Sequence, residues 1–174
     1  MILATTLVTA RLELRRSTPE QLRALIAGPA EFTRQFGLPV AEGYNEFPEA
    51  LNYALGKMAI TGLAASWWSP FLVVHPDSPA VIGLCGFKGP AAADGMIELG
   101  YGIAPAFRGL GLATEAAAAL VNEARRCVRL ARVIAHTLPE TNASTRVLLK
   151  LGFFRAANVN DPEDGVIWRW ERTP

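Results

Sequence analysis

The sequence has few cysteines, and none of its cysteines or histidines has the spacing of a metal site. Two of the 174 residues are cysteine, Cys85 and Cys127, and each lies within an apolar run. No CxxC, CxxH or HExxH pattern occurs, so we expect no zinc site and no metal. We predict two buried free thiols in a reducing compartment, the cytoplasm.

Long apolar runs and a strong excess of either charge are also missing. The N-terminal stretch MILATTLVTARLELRR has no basic region before its short apolar segment, so we expect no signal peptide. No apolar run approaches the roughly 20 residues of a membrane helix. Lys and Arg total 17 against 16 for Asp and Glu, a net charge of +1. This balance argues against a nucleic-acid binder. We therefore expect neither a membrane nor a nucleic-acid partner.

The composition present is that of a globular protein. Hydrophobic residues make up 51% of the chain and charged residues 19%, and the length fits one domain over residues 1–174. Strand patterns lie at 11–15, 71–74, 80–88, 96–103, 132–138, 153–157 and 166–171. Helix patterns lie at 18–27, 47–60, 111–128 and 142–151. A helix between two strands predicts a βαβ crossover with parallel strands. The fold class is thus α/β (α+β), with a mixed, mostly antiparallel sheet. Residues 29–70 are the least interpretable part.

The first helix has a clear start signal. Thr18 is a suitable N-cap, Pro19 fits the first helical position, and Gln21 completes a capping box. Leu22, Leu25 and Ile26 are predicted to form its buried stripe.

A glycine-containing turn joins a strand to the longest predicted helix. It reads Arg108-Gly109-Leu110-Gly111-Leu112-Ala113-Thr114. A helix N-terminus carries unpaired N–H groups and partial positive charge, and glycine lets an anion approach the backbone closely. We predict a phosphate site, for which a pyrophosphate is the natural ligand; a tight turn before a helix is the alternative. The segment is neither a P-loop nor a good dinucleotide fingerprint.

Three segments together resemble one known family. The pattern Arg108-x-x-Gly111-x-Ala113 matches the Arg/Gln-x-x-Gly-x-Gly/Ala motif of the GNAT (GCN5-related) N-acetyltransferases. Residues 97–103, 142–153 and 9–15 are similar to the corresponding segments of the RimJ/RimL-like branch. The matches occur in the family's order and cover most of the predicted fold.

The resemblance implies acetyl-CoA as cosubstrate, with its pyrophosphate on residues 108–114. The pantetheine arm would run between two splayed parallel strands, 97–103 and 132–138, and pair with backbone near Ile103. Asn142 matches an asparagine that contacts this arm, although it is equally suited to cap the following helix. Ser144 matches a position near the leaving sulfur, with a surface hydroxyl as the alternative.

Glu98 is the leading candidate for the catalytic base. Strand alternation places Ile97, Leu99, Tyr101 and Ile103 on one face, and Glu98 with Gly100 and Gly102 on the other. The glycines leave open space beside the carboxylate, which suits a ligand; a solvent-facing or ion-paired carboxylate is the alternative. Tyr101 is expected in the core. His75 and His136 are expected to be structural, because the sequence shows no partner that would orient either ring.

The predicted function is N-acetyl transfer to a primary amine, on a protein N-terminus or a small molecule, by direct attack in a ternary complex. A CoA-binding module without catalysis is the main alternative, and a nucleotide-binding domain is a remote one. The resemblance implies that residues 29–70 shape the acceptor site, where Trp67 and Trp68 could lie in a pocket, in the core or at a contact of a homodimer. The sequence indicates neither the amine nor the oligomeric state.

Overall fold

Eight strands join in one sheet in the computed structural model, which describes residues 2–62, 65–162 and 164–173. The strand order across the sheet is β1-β2-β3-β4-β5-β6-β8-β7. The strands are β1 (Thr6–Val8), β2 (Glu13–Arg16), β3 (Phe71–His75), β4 (Ala80–Phe87), β5 (Met96–Ile103), β6 (Arg132–Thr137), β7 (Phe154–Asp161) and β8 (Gly165–Arg172). The helices are α1 (Pro19–Ala27), α2 (Pro29–Phe36), α3 (Pro48–Ile60), α4 (Ala65–Trp68), α5 (Leu112–Cys127) and α6 (Ala143–Lys150).

The pairing of the strands confirms the predicted fold class. Every neighbouring pair in the sheet is antiparallel except β5 with β6, which is parallel. Helix α5 connects those two strands, so β5-α5-β6 is the predicted βαβ crossover. The last two strands form the predicted antiparallel pair, but β7 continues past residue 157 to Asp161, and β8 is longer than predicted by one residue at each end.

The start of α1 follows the sequence signal. Thr18 accepts a hydrogen bond from the N–H of Gln21, and the side chain of Gln21 accepts one from the N–H of Thr18. Leu22 and Leu25 are buried, but Ile26 is 39% exposed, so its place in the buried stripe was wrong. Ala24 lies in the core instead, beside Leu25 on the buried face of the helix.

Short elements account for most of what the sequence did not predict. β1 has three residues and α4 has four, too few for a periodic pattern. α2 begins at Pro29, directly after Gly28 at the end of α1. The helical pattern of residues 47–60 is confirmed as α3, with Leu51 and Ala54 buried. The segment leading to β3 includes residues 63–64, which lie outside the described residues.

Two hydrophobic cores cover the two faces of the sheet. One contains Leu112, Ala116 and Leu120 of α5 packed against β4, β5 and β6. The other contains the inner residues of α1, α2 and α3, among them Leu22, Phe32 and Leu51. The sheet is therefore a layer between helices, and a side chain's strand position decides which side it faces.

The two cysteines differ in environment. Cys85 is buried and free, and burial raises the pKa of its thiol above the ordinary range. Cys127 is also free but only partly buried, so the prediction of two buried thiols is wrong for this residue. It lies at the C-terminal end of α5, where the side chain reaches the surface. Within the described ranges, no cluster of His, Cys, Asp and Glu could hold a metal ion, and no helix could span a membrane.

Candidate active site

The turn between β5 and α5 presents backbone N–H groups to an open surface. Gly109 and Gly111 have φ values of 79° and 81°, a left-handed conformation that glycine adopts without steric cost. Gly111 is the N-cap of α5, and the first intrahelical bond runs from Glu115 N–H to its carbonyl (3.1 Å). The N–H groups of Leu112, Ala113 and Thr114 precede that bond, so they are available to an anion.

The side chains of this turn divide between surface and core. Leu110 is 58% exposed, whereas Leu112 is 2% exposed and fixes the first turn of α5 in the core. No atom of the described residues lies within 4 Å of where a Cβ on Gly109 would stand. A ligand can therefore approach the backbone at Gly109 without displacing protein atoms.

Arg108 is tied to the protein on two sides. Its Nε donates to the carbonyl of Ile103 (2.9 Å), and its guanidinium forms an ion pair with Glu46. The side chain is 41% exposed, so it borders the turn while its orientation is set by the end of β5 and by Glu46. The predicted anion contact by Arg108 would use the guanidinium edge that these two partners leave exposed.

Strands β5 and β6 pair only over their first halves. The paired positions are Met96↔Arg132, Ile97↔Val133 and Glu98↔Ile134. Both strands continue beyond these pairs, to Ile103 and Thr137, without pairing to each other. The pairing of the two strands thus ends at Glu98, and the predicted opening between them begins directly after this residue.

The edge of β5 that faces this opening carries free hydrogen-bonding groups. Lys88 N–H donates to the Glu98 carbonyl (2.9 Å), and Ala104 N–H donates to the Ile82 carbonyl (2.7 Å), so even-numbered residues bond towards β4. The backbone groups of Leu99, Tyr101 and Ile103 consequently point towards the opening. The Ile103 carbonyl is already used by Arg108, which leaves its N–H. An extended polar chain can pair with this edge as a strand would.

Glu98 lies on the sheet face that the alternation predicted. Ile97 and Leu99 are 2% exposed and belong to the core under α5, whereas the Glu98 side chain is 21% exposed on the opposite face. Positions for a Cβ on Gly100 and Gly102 have no described atom within 4 Å. The predicted open space beside the carboxylate is therefore confirmed.

Two cationic or hydrogen-bonding partners hold the Glu98 carboxylate. Lys88 Nζ lies 2.6 Å and His136 Nδ1 lies 3.0 Å from Oε1. Burial acts to raise the pKa of Glu98, but the hydrogen bonds and charges of His136 and Lys88 outweigh it and hold the pKa below its ordinary value. Because the ionised carboxylate can only accept, Nδ1 of His136 is the donor, and Nε2 is the acceptor atom of the neutral ring.

His136 and Lys88 are the site residues that sequence reasoning missed. His136 was expected to be structural for want of an orienting partner, and the structure supplies that partner in Glu98. The parallel register places His136 two positions beyond the residue opposite Glu98, on the wall of the opening. No spacing signal could reveal a contact between residues 38 positions apart. His75 contacts Phe107 with ring centroids 6.0 Å apart, away from this group.

The start of α6 borders the opening from the other side. Asn142 is the N-cap: its Oδ1 accepts from Thr145 N–H (3.1 Å), while its own N–H donates to Thr145 Oγ1 (3.0 Å). The capping alternative is thus confirmed, and the side-chain NH2 is not used in either bond. Tyr101 OH donates to the Ser144 carbonyl (2.9 Å), which ties β5 to the first turn of α6. Tyr101 is partly buried and packs against the core rather than within it. Burial raises the pKa of Tyr101, and its bond to Ser144 opposes that rise only in part.

Comparison with known proteins identifies the fold. The acetyltransferase (GNAT) domain family matches residues 11–154. The uncharacterized N-acetyltransferase YjdG of Bacillus subtilis (strain 168) is 28% identical over 109 residues, a match that covers 63% of this chain and 64% of that protein. The uncharacterized N-acetyltransferase p20 of Bacillus licheniformis is 26% identical over 160 residues, covering 91% of this chain and 87% of the other.

Solved structures with this fold include enzymes that modify ribosomal proteins. The ribosomal-protein-S5-alanine acetyltransferase from Vibrio fischeri superposes with a TM-score of 0.69 at 16% identity, covering 98% of this chain and 97% of that one. RimL, a ribosomal L7/L12 alpha-N-protein acetyltransferase in complex with coenzyme A, gives 0.69 at 15% identity, covering 96% of both chains. At these identities the likeness establishes the fold. The chain belongs to the acetyltransferase (GNAT) domain family, a family of acyltransferases.

Proposed function

We propose that this protein transfers the acetyl group of acetyl-CoA to a primary amine, either a protein N-terminus or a small-molecule amine. The observation that carries the proposal is the opening between β5 and β6. It has the turn of residues 108–114, which we call the anion-binding turn, at one end and the Glu98–His136 pair where it begins. An acetyl donor such as acetyl-CoA, with a pyrophosphate at one end and a thioester at the other, fits between those two features.

The turn and the open edge would bind the two halves of the cosubstrate. The pyrophosphate would accept hydrogen bonds from the N–H groups of Leu112, Ala113 and Thr114, with Arg108, Gly109, Leu110 and Gly111 completing the turn. The amides of the pantetheine arm would pair with the free backbone groups of Leu99, Tyr101 and Ile103, and the side-chain NH2 of Asn142 would donate to the same arm. This arrangement fixes the thioester beside Glu98.

Attack requires a neutral amine, so a proton must be removed. The amine nitrogen adds to the thioester carbonyl, the C–S bond breaks, and the products are the acetylated amine and CoA. Nε2 of His136 would accept the proton, and Glu98, held as a carboxylate, would orient the ring and balance its positive charge. A backbone N–H on the β5 edge would stabilise the oxyanion, and the Ser144 hydroxyl would donate a hydrogen bond to the departing thiolate. The thiolate takes up a proton from solvent to give CoA, and His136 returns the amine proton to solvent.

Direct transfer in a ternary complex is supported by the two cysteines, since neither is suited to carry the acetyl group as a covalent intermediate. The Cys85 thiol is buried and its pKa is raised, which opposes the thiolate needed for covalent catalysis. Cys127 lies at the far end of α5 from the anion-binding turn.

An α-amine is the acceptor that the chemistry favours. Its pKa of about 7.7–8.0 leaves far more neutral amine near pH 7 than a lysine side chain with a pKa of about 10.4. The solved relatives named as modifying S5 alanine and the L7/L12 α-amine point the same way.

A panel of amines incubated with acetyl-CoA and analysed by mass spectrometry tests the proposal. It should contain peptides with a free N-terminus, the same peptides with a blocked N-terminus and an internal lysine, and small amines. We expect an acetylated product and an equal amount of free CoA. Binding of acetyl-CoA without any product would contradict the proposal and favour a CoA-binding module; tight binding of a nicotinamide cofactor but not of CoA would favour a nucleotide-binding domain.

A further inference from the structure

The tip of the β1–β2 hairpin contacts the beginning of α5, next to the anion-binding turn. Thr9 N–H donates to the Leu12 carbonyl (2.9 Å), which closes the hairpin. Leu12 is 1% exposed, so the tip is fixed to the core. Thr9 and Arg11 on this tip belong to a segment that resembles the RimJ/RimL-like branch, and the proposed chemistry gives them no role.

Glu115, in the first turn of α5, is held by the hairpin tip through both carboxylate oxygens. Oε1 accepts from Thr9 Oγ1 (2.6 Å) and from Arg11 N–H (2.8 Å). Oε2 lies 2.8 Å from Arg11 Nε and 2.7 Å from Arg11 Nη2. Burial acts to raise the pKa of Glu115, but the bonds from Thr9 and Arg11 outweigh it and hold the pKa below its ordinary value, so the group stays a carboxylate.

The same guanidinium also reaches the turn itself. Arg11 Nη1 donates to the Leu110 carbonyl (2.9 Å), and Nη2 lies 3.6 Å from where a Cβ on Gly111 would stand. One side chain therefore joins the hairpin, the turn and the first turn of α5. The Leu110 carbonyl is thereby directed towards Arg11, between two glycines that would otherwise give this backbone wide freedom.

The charges of Arg11 and Glu115 affect how well an anion can bind at the start of α5. A carboxylate in a first helical turn suits the helix dipole, but it also lies near the place where an anion binds. The Arg11 guanidinium neutralises that carboxylate and leaves the positive N-terminus of α5 to the ligand. Arg11 is about half exposed, and exposed ion pairs contribute little to stability, so its contribution should appear mainly in binding.

We propose that Thr9, Arg11 and Glu115 form a clamp that preorganises the turn for the pyrophosphate of CoA. The proposal rests on the proposed function, since it concerns binding of the same cosubstrate. The three residues are positioning residues: they hold the backbone that contacts the ligand. A turn already in its bound conformation loses less conformational entropy when the ligand binds.

The test is calorimetric titration of CoA into the native protein and matched variants. We expect Arg11→Gln to weaken binding about tenfold, because it loosens the turn and leaves the Glu115 charge beside the anion. The double variant Arg11→Gln/Glu115→Gln should bind more tightly than Arg11→Gln alone, since that charge is then removed. The control is Arg15→Gln, which breaks the Arg15–Glu13 pair (2.7 Å, Arg15 46% exposed) on the same hairpin and should change affinity less than twofold.

Thermal unfolding and amide hydrogen exchange of residues 108–115 complete the test. In Arg11→Gln, the amides of residues 108–115 should exchange faster, while the unfolding temperature stays within a few degrees of that of the native protein. Arg11→Lys keeps the positive charge but lacks the guanidinium group that bonds Glu115 and Leu110 together, so it should show an intermediate loss of affinity. Native-like CoA affinity in Arg11→Gln, or an equal loss in Arg15→Gln, would overturn the clamp alone. Should Arg11→Gln fail to fold, Glu115→Gln with unchanged affinity and unchanged exchange would overturn it. A native protein that does not bind CoA would instead overturn the proposed function.

Discussion

At the scale of single residues, the group with the clearest chemical consequence is the triad of Lys88, Glu98 and His136. Lys88 and His136 both contact Oε1 of Glu98, and together they keep it ionised. A carboxylate with a lowered pKa is a weaker base than an ordinary one. It is therefore better suited to orient His136 than to take the amine proton itself, which refines the role that the sequence predicted for Glu98.

Substitution of either member of the Glu98–His136 pair should affect turnover rather than cosubstrate binding. We expect His136→Gln to lower kcat about 100-fold, the usual scale for removal of a general base. Glu98→Gln, which removes the carboxylate that orients the ring, should lower kcat as well, and in both variants the dissociation constant of acetyl-CoA should change by less than about threefold. Steady-state kinetics and calorimetry measure the two quantities. Unchanged kcat at saturating substrates across the pH range would exclude the pair from proton transfer.

The lowered pKa of Glu98 also predicts how stability depends on pH. Because the folded pKa lies below the ordinary value of 4.5, the unfolded chain takes up the proton first as the pH falls. The contribution of Glu98 to the free energy of unfolding is thus fully present above about pH 4.5, and it is lost as the pH falls through the pKa of Glu98 in the folded protein. Urea unfolding should show a stability difference between the native protein and Glu98→Gln that shrinks on acidification. A difference that grows would contradict the assignment.

At the scale of elements, the site depends on where two strands stop pairing and where one helix begins. The pairing of β5 with β6 ends at Glu98, which frees the edge of β5 over the same residues that lead to the proposed anion-binding turn. Two left-handed glycines then lead into α5, whose first N–H groups have no hydrogen-bond partner among the described residues. Gly111 has no side chain to cap the helix, so those donors remain available.

Alanine substitutions at two glycines of matched backbone geometry distinguish an effect on CoA affinity from an effect on the free energy of unfolding. Gly109 has φ 79° and Gly152, after α6, has φ 78°, and a Cβ added at either position would have no described atom within 4 Å. Alanine at either position should lower the free energy of unfolding by about 1–2 kcal/mol, the cost of a left-handed L-residue. Only Gly109→Ala should weaken CoA binding, by at least tenfold. Equal affinity in the two variants, measured by calorimetry, would mean that the ligand does not contact this backbone.

At the scale of the whole molecule, much of the fold was predictable from local signals. Periodicity located β5 and α3, and capping chemistry located the starts of α1 and α6. The turn at 108–114 was recognisable because its motif lies in consecutive residues. The strand β1 is too short to show a period. Ile26 was misplaced because the buried face of α1 extends towards Ala24, a small residue that a stripe of large apolar side chains does not indicate.

The contacts that complete the site were not predictable for a different reason. Glu98 meets His136 across 38 positions, and Arg11 meets Glu115 across 104. Such contacts depend on sheet order and register, which arise from the packing of the whole chain and leave no local pattern. The individual residues could be singled out, as Glu98 was, but not their partners.

A crystal structure of the protein bound to CoA would examine every part of the proposed site at once. We expect the pyrophosphate on the N–H groups of residues 112–114, the pantetheine arm along residues 99–103 of β5, and the sulfur beside Glu98 and His136. CoA bound elsewhere, or bound at the turn with its sulfur directed away from the Glu98–His136 pair, would contradict the proposed site.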